Sequence, residues 1–392
     1  MKAQSFLFNL LVMTGTVMTA MSCNRQDEIV TLRNGDVADG GTLLCSDLVS
    51  EVEFIALDSD TVVAYGIGDC VISDKYVARV DFGYSTKLPV RVFDRSTGKL
   101  IACMGHIGRG PGEYQSTFQV ALDDKGDKVW IRSKSGLIDI YDVFTGIHVG
   151  EVPMAYDMDE FYMLPEAVFS IDKEGKSIAV ASIPYDDDST AAFVWEQDLE
   201  GNVLWEIPRT GRWRSSSPAN TNISSDCNVD GALEFSLKSD GNYPDTLYLL
   251  RDRELIPLFT VDLKSFKDGT SMMHSLLPGK VLSTVFGRGE ELFPGVIVSE
   301  SQGCILTDLR TGKALRYGST SMHNDFLDIE GVLSFRNGYL INLISPDEFR
   351  EAARSALDNG LLTGRAAEQA SEILSDLSDE DNDILMLGRL KR

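Results

Sequence analysis

The chain has 392 residues, with 36 Lys and Arg against 60 Asp and Glu, for a formal net charge of -24. No basic block relieves this acidity, so most of the surface repels a phosphate backbone and nucleic acid is excluded as a partner. Anionic headgroups are repelled for the same reason, and membrane contact is expected through a lipid anchor alone.

The amino terminus opens on Met1-Lys2. Phe6 to Met21 is an apolar, small-residue run too short for a stop-transfer helix, and it ends at Ala20-Met21-Ser22-Cys23. Residues 1–22 look like a bacterial lipoprotein signal peptide, with cleavage before Cys23 and lipid on its sulfur. Ala20 stands where such signals usually carry Leu, and the alternative is an ordinary secretory signal with Cys23 incidental. Residues 23–44 are polar, charged and Gly-rich, with Gly35, Gly40 and Gly41, and read as a flexible tether to a body spanning 45–392.

From about Ser46 to Ser345, short β-branched runs bounded by Gly, Asp, Asn or Pro predict strands. They include Val52-Phe54-Ala56, Val77-Arg79-Asp81, Val90-Val92, Val129-Ile131, Ile138-Ile140, Ile178-Val180, Val296-Val298 and Leu340-Asn342. One turn recurs between such runs. It reads Asp94 to Gly98, Asp142 to Gly146, Asp198 to Gly201 and Asp308 to Gly312, with Asp bonding its own backbone and Gly accepting a positive φ to close a hairpin. The steps between these aspartates are 48, 56 and 110 residues, the last being two steps of 55, which places a degenerate copy at Arg251-Asp252-Arg253-Glu254. A period of this size made only of short strands predicts an all-β, six-bladed β-propeller.

Several loops carry candidate chemistry. Gly105-His106-Ile107-Gly108-Arg109-Gly110-Pro111-Gly112-Glu113-Tyr114 holds four glycines. It lacks the Gly-Lys-Ser/Thr of a phosphate loop, and Phe118-Val120-Leu122 reads as a strand where that loop needs a helix. Two readings stand. One is a crossover whose glycines let the backbone pass the adjacent blade; the other is a channel mouth faced by His106, Arg109, Glu113 and Tyr114. Phe286-Gly287-Arg288-Gly289 echoes the pattern, and Arg109 and Arg288 reaching in from opposite sides would hold a carboxylate or uronate. Arg212 and Trp213 suit stacking on a sugar or aromatic ring, against the alternative of a Trp packed between blades. Tyr185 to Ser189 and Asp123 to Asp127 are acidic but lack the ligand spacing of a calcium loop, and read as solvated turns.

Ser345-Pro346-Asp347-Glu348 starts a helix: Ser as cap, Pro at the first position and acids in the first turn. Phe349, Ala353, Ala356 and Leu357 mark its apolar face, and a second helix is expected over Arg365 to Leu377. Together they form a short helical excursion over 346–383, and Ile384 to Leu390 then reads as a strand that closes the ring beside residues near Val52 to Leu57. Cys45, Cys70, Cys103, Cys227 and Cys304 have no CxxC spacing and read as buried small residues, with one or two disulfides as the alternative. No metal, cofactor or catalytic motif is identified: His106, His148, His274 and His323 are scattered, and no Gly-x-Ser-x-Gly or His-Glu-x-x-His occurs.

The lipid-type signal, the six-fold hairpin repeat, the run Gly108 to Tyr114 and the closing strand ending Leu390-Lys391 together resemble the six-bladed β-propeller lipoproteins of gut Bacteroidetes, which are similar to NHL-repeat and TolB-like propellers. Asp27-Glu28 resembles the acidic signal that such lipoproteins use for display on the outer face of the outer membrane. The resemblance implies a cell-surface binding or accessory protein rather than an enzyme, with a glycan-derived or peptide ligand. The alternatives are a hydrolase or lyase acting on an acidic polysaccharide through His106, Arg109 and Arg288, and a scaffold for another envelope protein.

Overall fold

The computed structural model describes residues 29–391 apart from 59–69, 83–86, 134–136, 157–166, 184–190, 210–222, 230–231, 239–244 and 294–295. The signal segment and Cys23 lie outside the described residues. No helix among those described is long and apolar enough to cross a membrane.

Strands pair antiparallel in six sheets, each a blade. The first is Cys70–Ile72, Tyr76–Arg79, Arg91–Asp94 and Leu100–Cys103; the second is Gln119–Asp123, Lys128–Arg132, Leu137–Asp142 and His148–Pro153. The third is Ala167–Ile171, Ser177–Ser182, Val194–Asp198 and Val203–Ile207, and the fourth is Ile223–Ser224, Leu233–Leu237, Thr246–Arg251 and Glu254–Val261. The fifth is Ser271–Leu277, Lys280–Phe293, Val296–Asp308 and Ala314–Tyr317, and the sixth is Phe335–Arg336, Tyr339–Ile344, Ile384–Leu390 and Val49–Ala56. First strands of the sixth, first, second, third and fourth blades approach one another in turn, so they line a central channel. This is the six-bladed propeller expected from the repeat.

Both faces of a blade are buried, which is why its strands read as continuous apolar runs. Adjacent residues serve opposite neighbours: Ile131 packs toward the first blade and Trp130 toward the third. The six hydrophobic clusters fall one to each gap between blades.

The recurring turns join third to fourth strands. Asp94 Oδ1 accepts from the Thr97 amide at 2.8 Å, Asp142 Oδ1 from the Thr145 amide at 2.9 Å and Asp308 Oδ1 from the Thr311 amide at 2.7 Å. Hydroxyl and amide donors hold all three carboxyls below the usual range. The degenerate copy is a two-residue hairpin, with Arg251 paired to Glu254 and positive φ at both Asp252 and Arg253. In the sixth blade this position falls between the two ends of the chain, so there is no turn.

The tether expectation is corrected from Val30 onward. Val30–Leu32 adds a fifth strand parallel to Glu254–Val261, and Val37–Gly41 adds one parallel to Ala314–Tyr317. Both cover blade edges whose backbone groups would otherwise lack sheet partners. Leu32 and Leu43 bury themselves in the gaps on either side of the fifth blade. These few apolar residues, spaced through a charged stretch, turn it from a tether into an outer layer.

A one-turn helix, α1 (Cys45–Leu48), leads into Val49–Ala56. Helices α2 (Pro346–Asp358) and α3 (Gly364–Asp376) form the expected excursion, with Ser345 Oγ accepting from the Glu348 amide. Phe349, Ala353 and Ala356 are buried, and Phe349 meets Phe54 edge to face at 5.2 Å. Gln369 on α3 accepts from the Phe54 amide at 3.2 Å, so the helix covers the outer edge of the sixth blade. Ile384–Leu390 lies between Tyr339–Ile344 and Val49–Ala56, with Met386 opposite both Asn342 and Phe54.

Candidate functional site at the channel mouth

At one end of the channel the turns between first and second strands of all six blades surround a cavity of about 470 Å³. Polar side chains stitch these turns across the blade gaps. Asp124 Oδ2 accepts from the amides of Asp74 at 2.9 Å and Lys75 at 3.2 Å, joining the second blade to the first. Asn337 Oδ1 accepts from the Ile72 amide at 3.1 Å, joining the sixth to the first. Asn228 donates to the Leu276 carbonyl at 3.1 Å and accepts from the Gly338 amide at 3.0 Å, tying the fourth blade to the fifth and sixth.

The acidic side chains of the lining are mostly committed to these turns. Asp123 Oδ1 accepts from the Lys125 and Gly126 amides, and Asp172 Oδ1 from the Lys176 and Ser177 amides. Lys125 pairs with Glu174 at 2.7 Å. Lys173 and Arg389, both exposed on the lining, have no hydrogen-bond or ion-pair partner among the described residues. Among the described lining residues the exposed Asp74 carboxylate likewise has no partner, so the uncommitted side chains at this mouth are two cations and one anion.

Beside Cys227 on the lining lies a charged cluster. Glu234, 2 % exposed, accepts from the amides of Asp226 and Asn228 at 3.0 Å each and of Val229 at 3.2 Å. Burial and the neighbouring Asp226 outweigh these donors and push its carboxyl up to about 8. Burial also raises Asp226, opposed by Arg336 and by a hydrogen bond from Ser275. Two buried carboxyls thus lie side by side with Arg336 acting on Asp226, an arrangement in which Glu234 keeps its proton near neutral pH. Burial pushes the Cys227 thiol up to about 11, so it is not a poised nucleophile.

The residues singled out from the sequence are placed otherwise. Tyr114 is 2 % exposed; its hydroxyl accepts from the Val90 amide at 2.8 Å and donates to the Met104 carbonyl at 3.0 Å, so it is a core residue and not a mouth residue. Glu113 Oε2 accepts from the Gly110 amide at 2.7 Å and shapes its own loop. His106 and Arg109 are exposed, and Arg109 donates to Gln115 at 3.0 Å. The loop rests on outer strands and turns of the second blade: Gly105 donates to the Gly146 carbonyl, and Tyr141 to the Gly112 carbonyl. Arg288 is exposed on the long second strand of the fifth blade, whereas Arg109 lies in the loop between the first and second blades. Arg212 and Trp213 lie outside the described residues.

A Ser-His-Asp grouping does occur, with Ser283 Oγ 2.9 Å from His274 Nδ1 and His274 Nε2 3.7 Å from Asp245. The His274 and Asp245 side chains have no exposure at all, so no substrate reaches them, and the group joins the fourth blade to the fifth. Sequence reasoning missed Asp226, Glu234, Arg336, Lys173 and Arg389. The usable signal was positional: each lies on or beside a turn, or on a short strand, at the same end of its blade.

These features define a six-bladed propeller closed by strands from both ends of the chain, with a polar cavity at one channel mouth. The family model described as Domain of unknown function (DUF4934) matches residues 28–389, and the chain belongs to that family. Among solved structures, a Bacteroides fragilis protein described as exported by inference is similar over 93% of this chain and 100% of its own, at 14% identity and a TM-score of 0.57. A Bacteroides vulgatus member of the duf4221 family is similar over 88% of this chain and 97% of its own, at 10% identity and a TM-score of 0.45. No curated protein matches the chain.

Proposed function

We propose that the protein is an exported binding module, held at the outer membrane by lipid on Cys23, that takes a carboxylate-bearing ligand of the uronate-sugar or peptide kind at the channel mouth. The observation that carries this reading is the cavity of about 470 Å³ to which every blade contributes, with Lys173 and Arg389 as its two unpartnered cations and Asp74 as its one unpartnered acid among the described residues. Two cations free of any carboxylate partner can each make a charge-assisted hydrogen bond to an incoming carboxylate. The signal-like segment and the exported relative from Bacteroides fragilis support the envelope location.

The test has two arms. Cys23→Ser should move the protein from the detergent fraction to the soluble one. In a panel of neutral oligosaccharides, uronate oligosaccharides and short peptides, Lys173→Ala and Arg389→Ala should each weaken the best ligand by about 1.5 to 3 kcal/mol while leaving the melting temperature unchanged. Wild-type binding in both variants would remove the mouth as the site.

A further inference from the structure

We propose that Asp139, His148 and Glu151 form a binding site for one divalent transition-metal ion of the zinc kind, on the second blade beside the glycine-rich crossover. It is separate from the channel mouth and does not depend on the binding function proposed there.

Asp139 lies on the third strand of the blade, with His148 and Glu151 on the fourth. Asp139 pairs directly with Glu151 across the ladder. The register then passes from Ile140 opposite Gly150 to Tyr141 opposite His148, so Val149 is an extra residue. That bulge turns His148 onto the face of the two acids, with its Nε2 3.2 Å from Asp139 Oδ1. One donor atom from each residue lies within 4.8 Å of the others. Ligands at metal bonds of about 2.0 to 2.2 Å stand roughly 3 to 3.5 Å apart, so the His148–Asp139 edge already fits and the exposed Glu151 has only a short distance to close.

Two carboxylates directly opposite on neighbouring strands repel each other, and Asp139, at 7% exposed, is withdrawn from water while Glu151 is exposed. A dication between them would convert that cost into binding energy. The imidazole is already oriented. Tyr141 meets it edge to face at 5.4 Å, and a Cβ on Gly112 would fall 2.8 Å from His148 Cβ, so glycine is what lets the crossover lie against it. Two carboxylates with one imidazole suit zinc-class ions, whereas calcium asks for six or more oxygens. Three protein ligands leave a position for water or for a ligand atom. No ligand spacing in the sequence announces the site, because the bulge and not the spacing brings His148 round.

The test is calorimetric titration of the chelator-treated full chain with Zn²⁺ alone. One equivalent should bind, and both His148→Ala and Glu151→Gln should weaken it at least about tenfold. Glu151 is exposed, so its variant keeps the test valid if His148→Ala misfolds, and a melting curve on each variant checks this. Ca²⁺ at the same concentration should not compete. Absence of saturable Zn²⁺ binding to the wild type, unchanged binding in Glu151→Gln with the fold intact, or equally tight Ca²⁺ would each overturn the proposal.

Discussion

Glu234 is a carboxyl withdrawn from water, and its protonation is coupled to the stability of the ring. Its folded value is pushed up to about 8, against about 4.3 for a carboxyl in an unfolded chain. Between those values the folded protein keeps a proton that the unfolded chain has lost, so stability falls as pH rises through this window and levels off above it. Thermal midpoints should therefore drop from pH 5 to pH 9. Glu234→Gln should flatten the profile, while costing about 1 to 3 kcal/mol at pH 5 because one backbone amide facing it loses its acceptor. A profile equally steep in the variant would mean that the proton sits elsewhere in the cluster.

At the scale of the element, the recurring turn works through its glycine as well as its aspartate. A Cβ on Gly146 would stand 2.0 Å from the Cys103 carbonyl oxygen, and one on Gly98 would stand 1.9 Å from that of Ala56. Each turn thus presses on the last strand of the preceding blade. Gly312 has a similar positive φ, 71° against 67° for Gly146, but nothing within 4 Å. Gly312→Ala should cost only the backbone penalty of about 1 to 2 kcal/mol, and Gly146→Ala measurably more, in denaturant unfolding of the two variants. Equal losses would show that the turn does not bear on its neighbour. This double duty made the fold legible, since five blades need the hairpin and four spell it as Asp and Gly. The fourth blade reaches the same hairpin with Asp252 and Arg253 at positive φ, a spelling that leaves little trace. The mouth was not legible because each blade supplies only a few residues to it, from turns with no common motif. Val30–Leu32 and Val37–Gly41 were misread for a related reason: parallel edge strands that bury one side carry too few apolar residues to show a period.

For the whole molecule, the mouth exists only while the ring is closed, because every blade contributes one turn to it. Closure rests on Ile384–Leu390, where Ile384, Leu385, Met386, Leu387 and Leu390 are all buried. At about 1.5 to 3 kcal/mol per buried apolar side chain, these five are worth roughly 7 to 15 kcal/mol, comparable to the full stability of an ordinary domain. Arg95 adds a polar lock across the same seam, pairing with Glu53 and donating to Tyr339 at 3.0 Å. The most direct measurement is scanning calorimetry of the full chain beside one ending at Asp383. A closed ring predicts one cooperative transition for the full chain, and a much lower or lost transition for the shortened one. If the shortened chain melts as sharply and as high as the full one, the ring is not closed by this strand and the mouth built on that closure falls with it.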